Sequence, residues 1–303
     1  MNPFIPKPGD ILSHDIADYP EGIVLPVDKP YRWTSADVIR KLKYAAIKHF
    51  GKKNLKVGHA GTLDPLATGV LLVCIGPACK KAQELQDHDK EYIARIRFGA
   101  ATPSYDLEKE PDRFFPFEHI TAAAVRDALT AFLGEQEQIA PLFSAKSVDG
   151  VRAYELARKL YRARTAASSA VPASSVIPSS SVIPSEASVS QFDTAALETL
   201  HRSRIVISEL ELLEFVPCAS TPTVLETDST ASSRIHVADT SALGLPEAVV
   251  RIACSKGTYI RAFARDLGEA LGTGAHLSGL IRSRSGDFSI SAALTLDQAL
   301  TLL

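Results

Sequence analysis

The strand and helix patterns of this chain are consistent with an α+β protein. Short apolar or alternating runs mark strands, stretches with apolar side chains at helical spacing mark helices, and the two kinds interleave along the 303 residues. An apolar share of 46% is enough to bury a sizeable core, in one large domain or two ordinary ones.

Taken in order, residues 1–21 form an N-terminal extension ahead of a domain spanning 22–303. Gly22 to Val27 is a short apolar run that ends at Asp28-Lys29-Pro30, a buried strand entering a turn. Ser35 offers an N-cap to a helix whose apolar positions Val38, Ile39, Leu42, Ala46 and Phe50 repeat at helical spacing until Gly51 stops it. A glycine-rich loop, Gly58 to Gly69, leads into the apolar strand Val70 to Ile75. Tyr92, Ala94, Ile96 and Phe98 alternate with Arg95 and Arg97, the period of a half-buried strand. Thr121 caps a helix running through Val125, Leu129 and Phe132 to Gly134; Ala140 to Val151 is loop-like, and Ala153 to Arg164 is helical. Strands follow at Arg204 to Phe215 and Ala248 to Cys254. Thr258 opens a helix with Ile260, Phe263, Ala264, Leu267 and Leu271 on one face, and a short helix covers Thr295 to Leu302.

Two stretches break this pattern. Between residues 165 and 200 the composition collapses to Ser, Ala, Val and Pro, with the hexad Ser-Ser-Val-Ile-Pro-Ser in tandem at 174–179 and 180–185. Two copies of six residues cannot bury a shared core, so the stretch reads as a disordered insertion. Residues 219–234 read as a polar, mobile loop. Both inserts lie between the segments that carry motifs and so decorate the fold.

No apolar segment approaches the ~18 residues of a membrane span, and residues 1–22 lack a signal-peptide core, which predicts a cytoplasmic protein with no membrane partner. The four cysteines, Cys74, Cys79, Cys218 and Cys254, have neither redox-pair nor zinc spacing and read as reduced core thiols. The net charge of −2 hides an uneven distribution. From Lys29 to Lys56 nine basic residues face the single acid Asp37, and a second basic region holds Arg251, Lys256, Arg261, Arg265, Arg282 and Arg284. Acids gather at 106–112 and 209–214. One side that faces phosphates, or simply solvated helix faces, would produce this pattern.

The segment with most chemical content is Gly58-His59-Ala60-Gly61-Thr62-Leu63-Asp64-Pro65-Leu66-Ala67-Thr68-Gly69. It presents one carboxylate and one imidazole between glycines, with Pro65 stiffening the residue after the acid. Such a loop holds Asp64 in one pose, either near a substrate or as an ordinary turn-capping aspartate.

This segment resembles, nearly residue for residue, the signature of the TruB tRNA pseudouridine synthases. Further segments resemble the same family in the same order: Val27-Asp28-Lys29-Pro30 with Thr34-Ser35; Lys90-Glu91-Tyr92 followed by Gly99 and Asp106; Ser144-Ala145-Lys146 with Gly150 to Glu155; Cys254 to Arg261; and His276-Leu277 through Leu280 to Gly286. The resemblance implies the α+β class itself and a pseudouridine synthase fold, a mixed and mainly antiparallel central sheet flanked by helices, with the active site in a basic cleft across its middle. It implies the reaction as well: uracil leaves its ribose carbon, turns in the pocket and rejoins through ring carbon 5, at uridine 55 in the T-loop of tRNA.

Asp64 matches the essential aspartate, which acts by bonding to the sugar or by abstracting a sugar proton. By the same resemblance Tyr92 stacks on the flipped uracil and Arg261 pairs with the catalytic carboxylate. Tyr259 and Leu280 line the pocket, and His59 enters the space vacated by the nucleotide. Lys29 with Pro30 shapes the floor. The helix from Ser35 and the region from Lys146 to Arg158 contact phosphates. The implied partner is the T-loop and T-stem of tRNA, with no metal, no cofactor and a monomeric enzyme.

The sequence departs from the family at Arg32, where glycine is usual, at Pro103, which replaces an acid, and at Ile281, a frequent arginine. The PUA domain that follows the catalytic domain in many relatives is not expected within the 303 residues. Rival readings are a tRNA-folding chaperone with little catalysis, a synthase acting on ribosomal RNA, and a glycosidic hydrolase. The last needs a second carboxylate, and the motifs offer Asp64 no evident partner.

Overall fold

Seven residues, Ile23–Lys29, form β1, buried along nearly its whole length as expected of a strand inside a sheet. The computed structural model that shows this describes residues 2–144, 147–148, 151–169, 202–219 and 235–303. It divides the chain into two units, Met1–Gln136 with Ile205–Leu303, and Glu137–Arg204.

The chain continues with α1 (Ser35–His49), β2 (Val57–Ala60), β3 (Ala67–Ile75), α2 (Ala82–Asp87), β4 (Lys90–Phe98), β5 (Ala100–Ala101), β6 (Arg113–Phe114), α3 (Ala122–Thr130) and β7 (Gly134–Gln138). The second unit holds the hairpin β8 (Ser147–Val148) and β9 (Val151–Arg152) and the helix α4 (Ala153–Ser169). There follow β10 (Ser203–Val216), β11 (Glu247–Cys254), α5 (Ile260–Ala270), β12 (Ala275–Ser285), β13 (Phe288–Ser289), β14 (Leu294–Thr295) and α6 (Leu296–Thr301). The main sheet runs β14-β1-β3-β12-β4-β11-β10. Only β1 with β14 and β3 with β12 pair in parallel among the registers of this sheet, so it is mixed and mainly antiparallel, as expected. Its apolar face packs on α1, α3 and α5 through Val38, Leu42, Val125, Leu129, Phe263 and Leu267. No helix among the described residues is long and apolar enough to cross a membrane.

Several local expectations are corrected. Thr34, not Ser35, caps α1: its backbone is extended, its hydroxyl accepts from Asp37 N at 3.0 Å, and the Asp37 carboxylate accepts from Thr34 N at 3.3 Å. The segment read as loop from Gly58 contains β2, paired antiparallel with β3, and β3 begins at Ala67 because Ala67 to Gly69 pair with β12. Tyr259, not Thr258, precedes α5; the Thr258 hydroxyl instead closes a turn onto Ser255 O. The long strand β12 stands at the centre of the sheet where no strand was expected. Residues 165–169 belong to the last turn of α4, while 170–200 and 220–234, like Ala145, Lys146 and Gly150, lie outside the described residues. Cys74 and Cys254 are buried thiols as expected, but Cys218 is exposed just beyond the end of β10.

Four of the six bases of the second basic region, Arg251, Lys256, Arg261 and Arg265, form ion pairs within the protein. Arg251 pairs with Glu91, Glu209 and Glu211, Lys256 with Asp87, and Arg265 with Asp266, while Arg282 is buried. The acids at 209–214 lie on β10 beside β11, so the sheet register neutralises charges that are far apart in sequence.

Candidate active site

Asp64 sits on the loop that joins β2 to β3, and three contacts fix that loop. Ser35 at the start of α1 accepts Leu63 N at 2.9 Å and donates to Leu63 O at 3.1 Å. The buried Lys29 ammonium donates to Trp33 O, Pro30 O and Pro65 O at 2.6, 2.9 and 3.2 Å. Arg282, 1% exposed, donates from Nε to Val70 O at 2.7 Å and from Nη2 to Gly61 O at 3.1 Å. The loop then enters β3 through Gly69, whose φ of +100° and close approach to Arg282 leave no room for a Cβ: an added one would stand 2.2 Å from Arg282 O.

Across the loop, Arg261 on the first turn of α5 makes a fork onto Asp64, Nε to Oδ2 at 2.8 Å and Nη2 to Oδ1 at 2.9 Å. Its Nη1 donates to Ser104 O at 3.2 Å, and its Nε lies 3.7 Å from Asp106 Oδ2. The Arg261 side chain is 6% exposed and that of Asp64 35%, so the carboxylate is the part of the pair that faces outward. Burial works against the Arg261 charge, but Asp64, Asp106 and Glu108 outweigh it and hold the guanidinium firmly ionised. Burial raises the Asp106 carboxyl pKa, with Arg261 opposing and Asp64 reinforcing the shift. Burial, with Asp106 beside it, pushes Glu108 up to about 7. Lys29 is pulled down to about 7, burial outweighing the attraction of Asp64 and Asp28.

Asp64, Asp106 and Arg261 open on a small, partly open cavity walled by Leu66, Ala67, Leu107, Leu277, Ser278, Gly279 and Leu280. Of the seven expected site residues it brings together Asp64, Arg261 and Leu280. Tyr92 is 9% exposed and packs in the core; its hydroxyl faces Arg282, and its pKa is raised chiefly by burial, so it does not form part of the cavity wall. Tyr259 lies at the N-terminal boundary of α5, two residues from Arg261. His59 is half-buried on β2 with its imidazole pKa lowered by burial and by Arg282. The immediate lining carries two carboxylates and one guanidinium.

Two features of the site escaped the sequence reading. Asp106 is a second carboxylate beside Asp64, contrary to the motif-based expectation, and it is held by Ser104 Oγ at 2.6 Å and Glu108 N at 2.9 Å. Arg282 reads in sequence as one more base of the second basic region, yet it is the buried clamp on the Asp64 loop. Arg32 explains a departure: its φ is +60°, a conformation that favours glycine, and its Nη2 bonds Ile235 O at 2.8 Å.

A model of the TruB family pseudouridylate synthase N-terminal domain matches residues 47–174, and one of the tRNA pseudouridylate synthase B C-terminal domain matches residues 261–302. The chain belongs to the TruB family of pseudouridylate synthases. Among its TruB relatives, the tRNA pseudouridine synthase B of Phocaeicola vulgatus is 42% identical over 92% of each chain. That of Bacteroides fragilis is 43% identical over 91% of this chain and 92% of its own, and that of Flavobacterium johnsoniae 38% identical over 91% and 94%. Two solved structures share the fold. One is an H/ACA RNP bound to a substrate RNA containing 2′-deoxyuridine, with 20% identity, a TM-score of 0.50, and cover of 91% of this chain and 51% of the other. The second, a Cbf5–Nop10–Gar1 complex, has 23% identity, a TM-score of 0.51, and cover of 91% and 53%. This chain thus spans about half the length of those two chains. The α+β pseudouridine synthase fold read from the sequence is the fold observed.

Proposed function

We propose that this TruB protein converts uridine 55 in the T-loop of tRNA to pseudouridine, with Asp64 as the catalytic carboxylate. The observation that carries the reading is the fork between Asp64 and Arg261 at an apolar cavity. A guanidinium in that position holds the carboxylate in one orientation at the cavity through both of its oxygens. The detached uracil must stay in place without meeting water, and Leu66, Leu107, Leu277 and Leu280 supply the wall for that. A nucleotide reaches such a site only by leaving its helix or loop stack. The carboxylate then either displaces the base from the sugar carbon or takes a sugar proton that is later returned. The base turns and bonds to the sugar through carbon 5, which gives up its proton as N1 gains one. No metal or cofactor takes part in this scheme, and the protein works as a cytoplasmic monomer on the T-loop and T-stem. Exposed Lys43, Lys48, Lys52, Lys53 and Lys56 provide charge for phosphates near α1.

Tyr92 serves the uracil in this scheme only if its ring is uncovered on binding, because it is core-packed here. Lys29 acts through the loop it holds, and Tyr259 and His59 act at the rim. The presence of Asp106 gives a hydrolase the second carboxylate it requires, so the product decides between the two readings. An unmodified tRNA transcript is incubated with the protein, pseudouridine is mapped, and free uracil is measured. Pseudouridine at position 55 without free uracil is the expected result. Pseudouridine elsewhere, or only in ribosomal RNA, refutes the specificity; free uracil alone selects hydrolysis; binding without any product selects the chaperone.

A further inference from the structure

Residues three apart on a regular strand point to opposite faces of a sheet. Leu277 and Leu280 of β12 nevertheless both line the cavity. The pairing with β4 explains how: Leu277 lies opposite Ile96 and Gly279 opposite Arg95, so Ser278 is an extra residue, a β-bulge. A second bulge follows, because Arg282 lies opposite Tyr92 and Arg284 opposite Glu91, leaving Ser283 extra. Between the bulges, Leu280 opposite Ala94 and Arg282 opposite Tyr92 share the buried face of β4. The segment Gly279–Arg282 therefore owes its orientation to two resets of the strand.

Each bulged residue is a serine, and each hydroxyl ends on a carboxylate of another strand, Ser283 on the adjacent β4 and Ser278 on β11 beyond it. Ser278 Oγ donates to Glu247 Oε2 at 2.6 Å, and Ser283 Oγ donates to Glu91 Oε1 at 2.7 Å. Glu247 is 1% exposed and cannot shift easily. Its Oε1 accepts Arg95 Nε and Nη2 at 2.9 and 2.6 Å, and its Oε2 also accepts Arg97 Nε at 2.8 Å. Arg97 in turn donates to Thr240 Oγ1 at 2.9 Å. Glu91 is steadied by Arg251 at 3.5 Å. A bulge removes backbone groups from the ladder, and a hydroxyl bound to a fixed carboxylate gives the displaced residue a defined place.

We propose that the Ser278–Glu247 and Ser283–Glu91 bonds are register anchors that position Gly279–Arg282 for the reaction. They turn Leu280 into the cavity wall and Arg282 onto the carbonyls of the Asp64 loop. The four anchor residues are positioning residues, not catalytic ones, and the inference rests on the role given to Asp64 above. A one-residue slip on β12 would send Leu280 and Arg282 to the other face and release both the wall and the clamp.

The test compares the wild type with Ser278→Ala/Ser283→Ala and with Ser278→Thr/Ser283→Thr. Three quantities are read: single-turnover pseudouridine formation at saturating enzyme, tRNA Kd by filter binding, and amide hydrogen exchange across residues 277–285. Small misplacements at a reacting centre cost large factors, so the alanine pair is expected to slow the single-turnover step by about tenfold or more. Its Kd stays within about twofold, exchange over Gly279–Arg282 rises, and the threonine pair recovers the rate. An unchanged rate in the alanine pair, or a rate that falls only in proportion to binding, overturns the proposal. A wild type that forms no pseudouridine sinks the role of Asp64 instead; the anchors are then judged by exchange alone, and unchanged exchange over Gly279–Arg282 overturns them.

Discussion

Replacing Arg261 with glutamine tests the electrostatic design of the site most directly. The wild-type guanidinium makes two bonds to Asp64 at 2.8 and 2.9 Å, one to Ser104 O at 3.2 Å, and stands 3.7 Å from Asp106. Removing one member of a buried ion pair costs about 3–5 kcal/mol, because the partner is left charged without compensation. Asp64 is 35% exposed and water screens part of its share, which places the expected loss near the lower end, about 3 kcal/mol at pH 8. Asp106, 6% exposed, can relieve the rest by taking a proton. Burial already raises its pKa and Arg261 holds that shift back, so the variant raises it further. An acid whose folded pKa lies above its unfolded one makes the folded state bind protons more tightly. Stability then falls as pH rises through the interval between the two values, so the deficit of the variant is largest at pH 8 and smaller at pH 5. Urea unfolding at both pH values measures this, with the slope against urea held common to both proteins. Catalysis reports orientation separately: losing the fork should lower the single-turnover rate by roughly 10²–10³. Arg261→Lys keeps the charge and loses the fork, so it recovers stability more than rate. Glutamine and wild-type proteins of equal stability at pH 8, together with a lysine variant of wild-type rate, would refute the reasoning.

The remaining predictions concern the acid, the close approach behind it and a buried imidazole. Asp64→Asn should abolish pseudouridine formation while tRNA binding by filter retention stays within about threefold, since the carboxylate is assigned to chemistry and not to affinity. Gly69→Ala should lower stability by at least about 3 kcal/mol in urea unfolding, because a left-handed residue and a Cβ at 2.2 Å from Arg282 O force β3 and β12 apart; a variant as stable as the wild type excludes this close packing. His276 is fully buried between Thr240 and Ala100 O, and burial first, then Arg97, depresses its pKa to about 4 against the pull of its bond to Ala100 O. A depressed folded pKa gives stability that is present above about 6.5 and is lost as pH falls through 4, worth roughly 3 kcal/mol at 1.36 kcal/mol per unit. His276→Gln should remove that slope between pH 6.5 and 4, and an undiminished slope would assign it to other groups.

What could be read in the sequence follows from whether a residue's partner is near it in the chain. The run Tyr92, Ala94, Ile96 and Phe98 advertises β4 because one face of that strand is buried without interruption. Helix α1 shows itself the same way through Val38, Leu42 and Ala46, although two adjacent hydroxyl residues competed for its cap. Backbone conformation decided that contest: Thr34 is extended and turns its side chain back onto Asp37, while Ser35 is freed to hold Leu63. The central strand β12 gave no such signal. Its buried-face residues Leu277, Leu280, Arg282 and Ser285 are spaced by three, two and three, because a bulge resets the alternation twice. A period-two search cannot register that pattern, and the strand carries polar residues at the very positions where a search expects apolar ones. The glycine-bounded Asp64 loop was legible as a candidate because its constraints are local. Its meaning was not, since the guanidinium that orients the acid lies 197 residues away and the clamp on its backbone 221 away. Only the resemblance singled out Arg261, and it left Arg282 unmarked, because it matches residues rather than the register that gives them partners. The same argument shows why charge counting misled: Arg251 looked free until β11 was laid beside β10 and Glu209 and Glu211 came within ion-pair reach. Sheet register, more than composition, therefore decides which cations of this chain remain available to RNA.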